Sequence, residues 1–145
     1  MDVEYKYNQT IPAEQFLNLL TSSTLDARRP IDNAECIQGM LDNANLTYSA
    51  WVGDKLVGIA RCVTDFHYCC YLSDLAVDQQ LQHSGIGKKL IDLCTKKIAK
   101  TCKLVLLASP AASGYYPKIG MQHMDRCWIL NPGQSLLPDK IVDKE

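Results

Sequence analysis

The chain lacks any apolar run long enough to cross a bilayer, and its start, Met1-Asp2-Val3-Glu4, has none of the basic and apolar character of an export signal. Neither sign of charge prevails. Fifteen Lys and Arg face 16 Asp and Glu, for a net charge of −1, so no general electrostatic pull towards nucleic acid is expected. No basic stripe interleaved with aromatics appears, and Lys88, Lys89, Lys96, Lys97 and Lys100 read as a solvated helix face. Histidine is scarce, no Cys-x-x-Cys pair occurs, and His67, His83 and His123 fall on separate expected elements, so no metal site is expected. Cysteine, by contrast, is abundant. Seven is an odd number without the spacing of a disulfide scaffold, and the cysteines read as reduced thiols of a cytoplasmic protein. There is no internal repeat and no composition break. One domain over residues 1–145 is expected, with its core at about 3–131 and a polar tail at 132–145.

The apolar pattern orders the elements. Val3 to Gln9 alternates as a strand. Pro12 stands where a helix can begin, and Phe16, Leu17, Leu19 and Leu20 form its apolar stripe. After a polar stretch from Thr21 to Pro30, a second helix is expected from about Asn33 to Asp42, capped by Asp32 or Asn33, with Cys36, Ile37, Met40 and Leu41 inward. Leu46–Val52 and Lys55–Thr64 read as a hairpin turned by Gly53-Asp54, and Tyr68–Val77 as the next strand. On that strand Cys69 and Cys70 should face opposite ways. A helix is expected to run to about Lys100, followed by an apolar strand, Lys103–Ala108, parallel to Tyr68–Val77. A short helix over Pro110–Ile119 and a last strand from Met121 to about Leu130 complete the series. The hydrophobic Arg126–Leu130 would then be an open sheet edge, which points to a homodimer.

Between strand and helix lies Gln82-His83-Ser84-Gly85-Ile86-Gly87. Glycine permits positive φ and a close approach to the backbone. The first amides of a helix have no intrahelical partner and carry the positive end of the dipole, so this turn is suited to an anion, most often phosphate. A dinucleotide fold would place such a loop after its first strand. A Walker loop would need Ser or Thr after Gly87-Lys88, where Lys89 stands.

Three segments together carry a resemblance: Tyr71-Leu72-Ser73-Asp74-Leu75-Ala76-Val77, the Gln82–Gly87 loop, and Ala112-Ser113-Gly114-Tyr115-Tyr116-Pro117-Lys118-Ile119-Gly120-Met121. In order and spacing the chain resembles the GCN5-related N-acetyltransferase (GNAT) family from Val3 to Leu130, with Met121 where the family has an aromatic. The resemblance implies an α/β (α+β) fold. Its sheet would be mixed and mostly antiparallel, with a splayed parallel central strand pair, flanked by helices. It implies acetyl-CoA as acyl donor and the primary amine of a small molecule or protein as acceptor, acetylated by direct attack on the thioester. Leu75, Ala76 and Val77 would bond the pantetheine through their backbone. Gln82, His83, Ser84, Gly85, Ile86, Gly87 and Lys88 would hold the pyrophosphate, with Ser109, Ala112 and Tyr115 along the same groove. Tyr116 would protonate the leaving thiolate. Many members carry a glutamate on the central strand where this chain has Ser73, which leaves Asp74 as the candidate base or else a structural carboxylate. Arg29 and Tyr71, and less so Asp65, are candidates for the acceptor side. A non-catalytic acyl-CoA-binding module is the alternative, and Tyr116 discriminates, since a pure binder needs no hydroxyl beside the thioester. A cysteine-dependent enzyme ranks far below, because no cysteine has an evident activating partner.

Overall fold

Four short local signals start the chain's elements. Pro12, with φ of −61° and ψ of 138°, leads into α1 (Ala13–Ser22), whose Phe16, Leu19 and Leu20 are buried. Asn33 caps α2 (Ala34–Asn43) by accepting the Cys36 N–H at 3.0 Å. Gly53, at φ +57°, turns β2 (Leu46–Val52) into β3 (Lys55–Thr64). The Asp65 carboxylate accepts the N–H groups of His67, Tyr68 and Cys69 at 2.8–3.0 Å and so closes the turn into β4 (Cys69–Val77). Those three bonds hold its pKa down at about 2.

With β1 (Glu4–Tyr7) and β5 (Lys103–Val105), these strands form one sheet in the order β1-β2-β3-β4-β5. All pairings are antiparallel except β4 with β5, which is parallel. In this computed structural model residues 2–139 are described; Met1 and residues 140–145 of the expected tail lie outside them. α1 and α2 cover one face of the sheet, where Phe16, Leu19, Leu20 and Ile37 pack with Trp51, Leu56, Ile59 and Ala76. The other face carries α3 (Ile86–Thr95), through Ile86, Leu90, Ile91 and Cys94. Cys69 is exposed and Cys70 buried, as their alternation requires.

Two β-bulges decide which side chains reach which face. Arg61 pairs with Asp74 but Cys62 pairs with Leu72, so Ser73 is an extra residue on β4. Paired residues share a face. Leu72 therefore lies with Cys62 towards α3, while Asp74 and Ala76 lie with Arg61 and Ile59 towards α1 and α2. An unbroken row of buried even-numbered positions thus changes sides at Ser73. Val57 is the extra residue of the second bulge, on β3. Gly58 just beyond it admits α3 so closely that an added Cβ would lie 3.0 Å from Ile86 Cγ2 and 3.2 Å from Leu90 Cδ1.

Several expectations are corrected. Helix α3 ends at Thr95, not near Lys100, and Cys36 is exposed rather than inward. The strand expected over Lys103–Ala108 covers only Lys103–Val105, because Val105 and Leu107 find no cover and half their surface meets solvent. The helix expected over Pro110–Ile119 is a 3-10 turn at Pro110–Ala112 followed by α4 (Tyr115–Lys118). Residues 121–130 form no strand: Trp128 is 93% exposed, and Asn131 to Gln134 turn on a 3.0 Å backbone bond. The edge on which a homodimer was expected to form is therefore absent among the described residues. The chain falls into two compact units that meet at Ala112 and Ser113. The sheet and α1–α3 belong to the first; α4 and the irregular chain after it belong to the second.

Candidate active site

β4 loses its partner halfway. β5 pairs with Cys69, Cys70 and Tyr71 and then ends, while β4 continues to Val77 bonded only to β3. The separation begins at the Ser73 bulge, where the extra residue bends the strand and increases its twist. Along Ser73–Val77 alternate residues must therefore direct both N–H and C=O into the vacated edge. Leu75, Ala76 and Val77 stand there, Ala76 with its side chain buried and the flanking two half-buried. The Val77 carbonyl accepts a bond from Gln82 Nε2 at 3.2 Å. Backbone groups of this kind require partners, and an extended ligand can supply them as an added strand.

Beyond β4 the chain makes a short turn and enters α3. Asp78 accepts the Gln80 N–H at 3.0 Å and pairs with Lys55 Nζ at 3.4 Å, which fixes the exit from the strand. His83 and Gly85 take φ of +70° and +89°, and the Ser84 hydroxyl bonds back to the Leu81 carbonyl. Gly85 is the N-cap of α3, and no side chain caps the helix. The leading amides of Ile86, Gly87 and Lys88 are thus offered outward, beside the exposed Lys88. An added Cβ on Gly85 would touch nothing within 4 Å, so its requirement there is conformational rather than steric.

At the bulge, two arginines enclose Asp74. Its carboxylate is fully buried, with Arg29 Nε on Oδ1 and Arg61 Nε on Oδ2, each at 2.5 Å. Arg29 also donates to the Ser73 carbonyl, Arg61 to the Ser73 hydroxyl and to the Met40 carbonyl in the last turn of α2, all at 2.9 Å. This geometry bears on two expectations. Both oxygens of Asp74 accept guanidinium N–H groups and none of the carboxylate meets solvent, which favours the structural of its two readings. Arg29 is engaged as its counter-ion instead of standing free to receive an acceptor. Asp65 is likewise consumed by its turn.

Tyr71 does face outward. It pairs with Val63 on one side and Val105 on the other, and the three form an exposed cross-strand row on the face that carries Asp74. Ser109 accepts the Ala112 N–H at 2.9 Å to form the 3-10 turn after β5. In the second unit, the Tyr115 and Tyr116 rings meet edge-on at 5.2 Å. Burial, with the neighbouring Tyr115, pushes the Tyr116 phenol above its ordinary pKa, so it keeps its proton at neutral pH. Two of the buried cysteines, Cys62 and Cys70, offer no competing chemistry. Cys62, Cys70 and Cys94 are buried in the first unit, Cys62 and Cys94 with sulfurs 3.9 Å apart. Burial and thiol neighbours push Cys62 far up and Cys70 up to about 12, which leaves both protonated and unreactive.

Sequence reading missed Arg61, Gly58 and the Ser73 bulge. A cation inside the buried run of β3 and a glycine within the same strand were the available signals.

A model of the acetyltransferase (GNAT) domain matches residues 19–127. An uncharacterized ycf52-like N-acetyltransferase of Prochlorococcus marinus is 29% identical over 122 residues, 80% of this chain. The chain spans 62% of the length of that curated relative. Among solved structures, a protein of unknown function from meticillin-resistant Staphylococcus aureus matches with a TM-score of 0.74 at 20% identity, over 90% of this chain and 100% of the other. A GNAT-family acetyltransferase from Streptococcus pneumoniae matches at 0.66 and 23% identity, over 89% and 98%. An aminoglycoside N-acetyltransferase solved with CoA matches at 0.67 and 15% identity, over 90% and 94%. At these identities the structural likenesses establish the fold alone.

Proposed function

The chain belongs to the GNAT acetyltransferase family, and we propose that it transfers an acetyl group from acetyl-CoA to a primary amine by direct attack on the thioester. The observation that carries this reading is the edge of β4 past Tyr71, which no strand covers among the described residues, followed in the chain by the uncapped start of α3. The pantetheine arm would add to that edge as a strand while the amides at Ile86–Lys88 neutralise the pyrophosphate. A backbone N–H near Leu75 would meet the oxygen of the thioester carbonyl and stabilise the negative charge that develops there. Ser109 and Ala112 would extend the groove within the first unit.

Attack requires an amine with a free lone pair and a proton for the departing thiolate. Tyr116 is the donor we assign, on the Ala112–Met121 segment that carries the family resemblance. With both Asp74 oxygens held by arginines, the reading we favour is that the amine loses its proton to solvent or enters neutral. The acceptor would lie against Tyr71, Val63 and Val105, an exposed row on the face of the sheet that carries Asp74. The open edge of β4 and the uncapped start of α3 would serve an acyl-CoA-binding module equally well, and turnover separates the two.

The experiment pairs acetyl-CoA binding with thiol release over a panel of primary amines. At a hundred times its dissociation constant acetyl-CoA should stabilise the protein by about 3 kcal/mol. Gly85→Val should abolish that shift with the fold retained, because valine resists the φ of +89°. An absent shift in the unaltered protein refutes the cofactor reading; binding without thiol release from any amine favours the non-catalytic module.

A further inference from the structure

We propose that Arg29 is a positioning residue that straps the segment between α1 and α2 to the bulge of β4, beside the acyl end of the cofactor. The placement follows from the proposed cofactor reading. With pyrophosphate at the start of α3, the arm runs back along β4 from Val77, and Ser73 lies about 13 Å upstream at 3.3 Å per residue. The acyl end therefore meets the bulge, where Arg29 arrives.

The segment is shaped to deliver that side chain. Thr24, at φ +68°, turns the chain out of α1, and a 3-10 turn over Leu25–Arg28 follows. Pro30 disfavours helical backbone at the residue before it, and Arg29 is extended at φ −134° and ψ 152°. Its three guanidinium nitrogens then donate to three acceptors: Nε to Asp74 Oδ1 at 2.5 Å, Nη2 to the Ser73 carbonyl at 2.9 Å, and Nη1 to the carbonyl of its own neighbour Arg28 at 2.9 Å. The Ser73 carbonyl belongs to the extra residue of the bulge, which the ladder leaves without a partner. Arg61 performs the same service from within the sheet and is buried with it. Arg29 is different. It enters from a loop, keeps a fifth of its side chain in solvent, and is the polar link from that loop to both the buried carboxylate and the bulge. Removing it should free the loop without dismantling the sheet.

The test uses Arg29→Met, which keeps the apolar stem, and Arg29→Lys, which keeps the charge but cannot reach carboxylate and carbonyl together. Hydrogen exchange is followed in each protein with and without acetyl-CoA, alongside steady-state kinetics with the best amine. In Arg29→Met, amides of residues 24–33 and 73–75 should exchange at least tenfold faster. Acetyl-CoA should still protect residues 86–88 with a Kd changed less than threefold, and the KM for the amine should rise at least tenfold. Arg29→Lys should recover part of both losses, and it carries the test if Arg29→Met does not fold. Unchanged exchange at 24–33, or an unchanged amine KM in a folded variant with a loosened loop, overturns the proposal. If the unaltered protein gives no protection by acetyl-CoA, it is the cofactor reading that fails, and the exchange at residues 24–33 and 73–75 still decides whether Arg29 is a strap.

Discussion

Gly58→Ala tests how closely α3 must sit for its amides to serve an anion. The new Cβ would lie 3.0 Å from Ile86 Cγ2, 3.2 Å from Leu90 Cδ1 and 3.3 Å from Ala50 Cβ. All three neighbours belong to packed elements, so relief requires α3 to move away from the sheet by several tenths of an ångström. Overpacking of this kind costs about 1–3 kcal/mol. Replacing glycine in ordinary strand backbone returns about 0.4–1 kcal/mol through the unfolded chain. The net expectation is a loss of about 1–2 kcal/mol, or roughly 3–8 °C in thermal midpoint for a chain of this size. Ile86 is also the first residue of α3, so the displacement acts on the amides proposed for the pyrophosphate. Acetyl-CoA Kd should rise about three- to tenfold, which is about 0.7–1.4 kcal/mol. The assays are thermal unfolding and calorimetric titration, in a double-mutant cycle with Ile86→Ala. That second change removes the carbon nearest the new methyl, so the pair should be less destabilised than the sum by at least about 0.5 kcal/mol. Strict additivity, or full affinity in Gly58→Ala, would refute the packing argument.

Asp74→Asn should destabilise by about 3–5 kcal/mol, because the buried Arg61 and the partly exposed Arg29 lose their shared counter-charge. Its rate per folded molecule should show no recovery at high pH; such recovery would reinstate Asp74 as the base. Tyr116→Phe should lower turnover roughly 10²-fold, with acetyl-CoA affinity unchanged by titration; full turnover with a good amine would mean that solvent protonates the thiolate. For Asp65, the folded pKa of about 2 lies below the free value of 3.8. The stability it contributes is present above pH 3.8 and is lost as pH falls towards 2. Asp65→Asn should flatten acid unfolding across that window, and an unaltered acid limb would show that the three turn bonds contribute nothing.

What the sequence disclosed was local. The Gly53-Asp54 hairpin, the Asn33 cap, the opposite faces of Cys69 and Cys70 and the parallel pairing of β4 with β5 each depend on neighbours or on one crossover. What it concealed was set at a distance. Cys70, Leu72, Asp74 and Ala76 read as one inward row, and a single extra residue sends the second half of that row to the opposite face. Asp74 then meets arginines 13 and 45 residues away in sequence, which no spacing rule anticipates. Residues 121–130 have strand-like composition but no strand, since β propensity expresses packing against neighbours more than an intrinsic backbone preference.

Stability alone does not account for an Arg-Asp-Arg cluster inside this sheet. Well-packed apolar residues of similar volume commonly match a buried ion cluster in stability or exceed it, because desolvating each charge costs several kcal/mol. Apolar side chains would, however, leave the bulge without an internal donor. An aliphatic replacement of Arg29 would orphan the Ser73 carbonyl, and one of Arg61 would orphan the Met40 carbonyl at the end of α2. A guanidinium meets a carboxylate and a carbonyl at once, and Asp74 compensates the charge so introduced. The cluster therefore stabilises one register of β4 over the alternative in which Ser73 is absorbed into the ladder and Asp74 is carried to the apolar face beneath α3. That alternative would bury an unpaired carboxylate against Cys62 and Cys94. The register it selects is the one in which β4 parts from β5, so the cluster holds open the edge where the acyl donor would bind.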